Sequence, residues 1–263
     1  MYNHIRQHLP QGIQRIDATV KESTRNLKAL GTARKEPREH RAYLGSIAKD
    51  FDRLSRDTIR GLYTNHTFFP SIDPKVEQFP YNDNKLHSCL RTLNRGFIAV
   101  MATKGASRTI RMPDGSLTTD KHTDIWPNTN TAMDLYNVKA PVEISWADFK
   151  AEFDMDAIVN EGTELPGSKN PWLGFRKFKE QVQPWRQIAK QHIELVLDIT
   201  RSFIDNLLKY NIVDSQIQDR IIVECVEPFF IKRKAVMSAK LKNCSSITMA
   251  IMLFRSMKNS YVS

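Results

Sequence analysis

The groups in this chain that could do chemistry are seven histidines, three cysteines and the 29 carboxylates. Cys89, Cys225 and Cys244 lie far apart and form no C-x-x-C pair. Neither a zinc site nor a disulfide framework is therefore expected, and the thiols should be reduced. The histidines are scattered. His192 falls on an apolar helical stripe, where a hydrogen-bonded core histidine is expected rather than a ligand or a general base. Asp154 and Asp156 point to different sides of one helix. The chain contains no G-x-x-x-x-G-K-[ST] loop, G-x-G-x-x-G turn, H-E-x-x-H helix or G-x-S-x-G elbow, so no phosphate cradle, metalloprotease site or nucleophile elbow can be built. The expectation is a non-enzyme with no metal or cofactor of its own.

Cations are the other reactive feature. The run I-K-R-K-A-V-M-S-A-K-L-K holds Lys232, Arg233, Lys234, Lys240 and Lys242 near the end of an expected helix. Cations there complement the helix dipole, and they also suit an anionic membrane or an acidic protein face. The formal net charge of +10 and the pI near 9.5 agree with either use. No Trp or Tyr is interleaved with the run, so specific nucleic-acid binding is not expected.

These residues need elements to hold them. Leu9, Ile13, Ile16, Val20, Leu27 and Leu30 make one helical stripe, with Pro10 in its first turn and Gly31 at its end. A second helix opens near Pro37, and a third spans about 83–103. Residues 104–142 are polar and aperiodic, and read as a flexible or disordered insert. Ser145 with Asp148 reads as a capping box. The strongest period runs over 173–210 as a single helix, kinked at Pro184. Its Phe178, Val182, Trp185 and Ile188 are expected to pack against the helices of residues 10–62. A last helix, about 214–242, carries Pro228 as a second kink. The fold class expected is all-α, an elongated antiparallel helical bundle.

Between two of these helices stands an elbow, N-E-G-T-E-L-P-G-S-K-N-P-W, residues 160–172. Its G-T-E-L-P-G resembles the R-G-R-E-L-P-G element that joins two stalk helices in the dynamin and Mx large GTPases. Four further segments are similar to that family in the same order: H-I-R-Q-H-L-P-Q-G-I-Q-R-I-D (4–17), L-K-A-L-G (27–31), R-A-Y-L-G-S-I-A-K-D-F-D-R-L-S-R-D-T-I-R-G-L-Y (41–63) and the fungal-type Q-V-Q-P-W-R-Q-I-A (181–189).

The resemblance implies that residues 1–242 are a dynamin-like stalk, or middle domain, with 243–263 a divergent tail. It implies a homo-oligomer that serves membrane remodelling when joined to a GTPase domain, with GTP and Mg²⁺ bound only through that domain. It also implies association with microtubules. The assembly loop would be Glu161, Gly162, Thr163, Glu164, Leu165, Pro166 and Gly167. Glu161 and Thr163 stand where the family commonly has arginines, which should weaken a charge-complementary contact. The GTPase domain and the returning effector helix are not in the sequence, so the expectation is a fragment. The alternative is a free-standing helical adaptor for an acidic protein or anionic lipid surface. The apolar run Ile247 to Phe254 is too short to span a bilayer, and the opening M-Y-N-H-I-R-Q-H-L-P has no signal-peptide core. A cytoplasmic location, peripheral to membranes, is expected.

Overall fold

The structure, a computed structural model, describes residues 2–30, 36–71, 83–119, 129–162 and 170–243. Those residues are mostly helical, as the patterning predicts. In chain order they form α1 (Tyr2–Leu30), α2 (Pro37–Arg60), α3 (Leu86–Lys104), β1 (Arg108–Arg111), α4 (Thr129–Met133), β2 (Val142–Ser145), α5 (Trp146–Val159), α6 (Pro171–Gln181), α7 (Pro184–Asn211), α8 (Ser215–Ile221), a π-helical turn (Ile222–Val226) and α9 (Glu227–Asn243). The tail beyond Asn243, and most of the elbow (163–169), lie outside the described residues.

Contacts divide the chain into two compact units. One comprises Met1–Leu62 with Ile204–Pro228, the other Tyr63–Phe203 with Phe229–Ser263. In the first unit, α2 is bounded by strong local signals. Pro37 sits in its first turn, Glu36 and Glu39 form a capping box, and Gly61 closes it at φ 72°. Ile47 packs with Leu208 and Ile212, flanked by Tyr43, Phe51 and Ile217. Asp214 caps α8 by accepting from the amides of Gln216 and Ile217. Among the described side chains of α1, Ile13, Ile16, Val20 and Leu27 are all exposed. The bundle core expected from the sequence therefore does not include them. A helical period specifies that one face is apolar, but not what covers it.

The core of the second unit is aromatic at one end. Phe68 and Phe69 meet edge-on at 4.9 Å, and Phe68 meets Phe203 at 6.2 Å. Leu93 and Val100 of α3 are fully buried, as is Ile188 of α7. At Gly96 α3 approaches α4 closely: a Cβ there would lie 2.7 Å from that of Ala132.

Three expectations are corrected. Residues 104–142 are not simply a flexible insert. Their described parts include β1, α4 and a parallel pairing of β1 with β2, in which Arg108 faces Val142 and Arg111 faces Ser145. Thr109, Thr129, Ala132 and Tyr136 are buried. Four-residue strands are too short to show a period, which is why this segment reads as loop. The predicted 173–210 helix is two helices. Val182 ends α6 by donating its amide to Phe178 O, and Pro184 opens α7 as its first residue, the position where a missing N–H costs nothing. Of the predicted stripe, Val182 and Ile188 are buried, whereas Phe178 is exposed and Trp185, edge-on to it at 6.0 Å, is only partly covered.

The third correction concerns the prolines near the termini. Pro10 lies inside α1, which begins at Tyr2 and not at Leu9. Pro228 follows a π-helical turn in which Glu227 N–H reaches back to Ile222 O. The extra residue in that turn accommodates a ring that would otherwise meet the carbonyl four residues earlier.

Candidate functional site

Helices α5 and α6 carry the two ends of the elbow. Ser145 opens α5, its hydroxyl oxygen accepting from Asp148 N at 3.1 Å while its proton goes to the Asp148 carboxylate at 2.6 Å. At the far end Asn160 turns its side-chain amide onto Asp156 O at 2.7 Å, stopping the helix. Asn170 starts α6 by accepting from Trp172 N at 2.9 Å, and its amide donates to Asn160 O at 3.4 Å. One asparagine from each helix thus closes the elbow's base. Arg176 strengthens the closure with Asn160 Oδ1 at 3.2 Å and Asp156 at 3.1 Å.

Behind this base lies a charge network that centres on Lys177. Its Nζ is 2.6 Å from both Glu152 and Asp156, and 3.7 Å from Glu180. Glu152 also lies 2.6 Å from Arg108 of β1. Lys177 is a buried cation, and burial works against its charge, but its hydrogen bonds to Asp156 and Glu152 outweigh that and hold its pKa above the usual lysine value. Those same bonds hold both carboxylates below their usual range, with Arg108 adding to the effect at Glu152. Gln181, at the end of α6, binds Arg108 N through its side chain and Ser107 N through its carbonyl. The elbow is therefore anchored to the small sheet as well as to its own helices.

Of the predicted loop, Glu161 and Gly162 are exposed, and Thr163, Glu164, Leu165, Pro166 and Gly167 lie outside the described residues. Sequence reasoning missed what flanks it. Met155, Ile158 and Val159 of α5, with Trp172 and Phe175 of α6, are exposed apolar residues on both sides of the elbow, Val159 and Trp172 each to 74%. Their spacing matches a buried stripe, so the sequence held no sign that they face solvent.

Lys232, Arg233, Lys234, Lys240 and Lys242 of α9 are all exposed. Arg233 lies over the Phe229 ring at 5.2 Å, and Lys234 is 3.8 Å from Glu194. Arg186 of α7 donates to the carbonyls of Leu241 and Lys242, at 3.2 and 2.9 Å, and so caps the end of α9.

No protein-family model, curated protein or solved structure matches this chain. The arrangement must be read from its own groups.

His192 is the one histidine among the described residues whose surroundings are perturbed enough to suggest chemistry, and they are those of a core residue. Its ring stacks on Phe97 at 4.3 Å, its Nδ1 is 2.7 Å from Tyr136 Oη, and burial lowers its pKa to about 4. Among the described residues no group of His, Cys, Asp and Glu is placed to hold a metal ion, and no helix is long and apolar enough to cross a membrane. The site can make apolar and charged contacts with another surface.

Proposed function

We propose that this chain is a self-assembling helical stalk of the dynamin-like kind, serving membrane remodelling when joined to a GTPase domain. The observation that carries this reading is the braced elbow. Helices α5 and α6 are tied by Asn160, Asn170 and Lys177, and hold out exposed apolar residues on both sides of the elbow. Helix ends tied together in this way that expose Trp172 and Val159 suit contact with another surface better than mere connection. The five ordered sequence resemblances support the same reading, and the chain by itself neither binds nor hydrolyses GTP. Sedimentation velocity at rising concentration and low salt is expected to show association beyond a monomer. Glu161→Arg with Thr163→Arg is expected to strengthen it by about 1–3 kcal/mol per contact. A wild-type chain that stays monomeric at high concentration would overturn the reading, as would steady GTP turnover by the pure chain.

A second reading is favoured by the exposed cations of α9: an adaptor that binds an acidic protein or anionic lipid surface. Binding to anionic but not neutral vesicles, by a chain that never self-associates, would select it.

A further inference from the structure

The uncovered face of α1 has the spacing of a coiled-coil seam. With Ile13 at an a position, the heptad runs Ile13 (a), Ile16 (d), Val20 (a), Ser23 (d) and Leu27 (a), with Leu9 and Leu30 at the d positions beyond. The steps alternate three and four, the 3.5-residue period that keeps one seam facing a partner helix. Ile13, Ile16, Val20 and Leu27 are 51%, 64%, 56% and 72% exposed, so the chain's own described elements leave this seam open. A row of branched aliphatic residues in water along some four turns of helix is a docking surface.

The residues beside the seam indicate what docks there. A seam meant for a differently charged partner carries complementary charges at e and g. Here those positions hold Gly12, Asp17, Thr19, Thr24 and Asn26, of which only Asp17 is charged. The cations Arg15, Lys21, Arg25 and Lys28 all fall on the outer b, c and f positions. Along residues 9–30 two copies of this basic helix can therefore meet without opposing their positive charges; Arg6, at the preceding a position, lies beyond that stretch. Thr19 donates its hydroxyl to Arg15 O at 2.9 Å, and Thr24 donates to Val20 O at 2.7 Å. With their protons already satisfied by their own helix, both can turn methyl groups to a neighbour.

We propose that α1 pairs with α1 of a second copy of this chain as a parallel two-stranded coiled coil. The parallel, in-register arrangement puts Thr19 opposite Thr24 of the other copy and Ser23 opposite Ser23, so that the seam's single polar layer meets itself. An antiparallel arrangement would set Ser23 against Val20 and leave its hydroxyl in an apolar layer. Ile13 and Val20 at a with Leu9 and Leu30 at d follow the two-stranded pattern, and Ile16 is the one β-branched d residue that departs from it. The inference rests on the self-assembly reading above and assigns it a surface distinct from the elbow.

The test uses the full chain. Ile16→Glu with Val20→Glu sets like charges against themselves at adjacent layers, and is expected to weaken association in sedimentation velocity by about a hundredfold or more. Lys21→Glu, on the outer face, should leave association unchanged. Far-UV circular dichroism verifies that helix content is retained. Independently, Ser23→Cys in a Cys225→Ser, Cys244→Ser background, where the remaining Cys89 is buried, should give a disulfide-linked dimer on mild oxidation. If the chain associates, but the double glutamate variant associates equally and the Ser23→Cys variant does not cross-link, the α1 seam is overturned while self-assembly stands on another face. If the wild-type chain is monomeric throughout, both fall. If the double glutamate variant loses helix content, the cross-linking result alone decides.

Discussion

At the scale of single residues, the buried imidazole of His192 makes stability depend on pH. Its pKa is lowered by burial from 6.5 to about 4 in the folded chain, so between those values the unfolded state binds more protons. Stability is full above pH 6.5 and falls as pH drops toward 4, by about 3 kcal/mol in all. Chemical denaturation across pH 4–7 should show that slope, and His192→Phe, stacked on Phe97, should flatten it. Two glycines form a matched pair. Gly96→Ala puts a methyl 2.7 Å from Ala132 Cβ and is expected to cost about 1–3 kcal/mol. Gly45→Ala, in α2 with nothing within 4 Å, should add up to about 1 kcal/mol. Denaturation midpoints that moved in the same direction for both would contradict the close approach of α3 and α4.

At the scale of elements, the α5–α6 elbow is a latch with two titratable limits. Glu152 and Asp156 have lowered pKa values through Lys177, so their contribution is present above the ordinary carboxylate range and is lost as pH falls through the depressed values. The raised pKa of Lys177 sets the other limit: its contribution is full below the ordinary lysine value and is lost as pH rises through the raised one. Lys177→Met is expected to destabilise by about 1–2 kcal/mol and Asn170→Ala by about 1 kcal/mol, both read by chemical denaturation. The helices themselves were legible in the sequence. A 3.6-residue period and local boundary signals such as Pro37 at the start of α2 act over one or two turns and need no knowledge of the rest of the chain. The latch was not legible, because Arg108, Glu152 and Lys177 meet only once a parallel strand pairing has formed. The same holds for Tyr136, whose partner His192 is far along the chain. The break before α7 shows a subtler limit: an apolar stripe can stay in phase across two helices, so periodicity by itself could not say whether Pro184 bends one helix or begins another.

At the scale of the whole molecule, a net charge of +10 makes association with any surface sensitive to salt. Apolar self-association along α1 or the elbow should survive, or strengthen, in high salt. Binding of the α9 cations to anionic vesicles should be lost over the same range. Measuring both at about 50 and 500 mM salt therefore separates the two modes in one experiment, since the Debye length falls from about 14 to 4 Å. If vesicle binding persists at the higher salt, the α9 cations do not drive it.

The parallel pairing of β1 with β2 also has a kinetic consequence. Arg108 cannot meet Val142 until the whole segment between them, α4 included, has been gathered in. Closing a loop of roughly thirty residues carries an entropic cost of about 3 kcal/mol before any bond is returned, whereas a turn of α3 forms from neighbours. The Val142 amide, bonded to Ser107 O, should therefore gain protection later than the Leu93 amide in pulsed hydrogen exchange during refolding. The elbow's anchor on β1 through Arg108 and Gln181 would form later still. In a freshly made chain, the elbow proposed to meet a neighbour would be the last part to take shape.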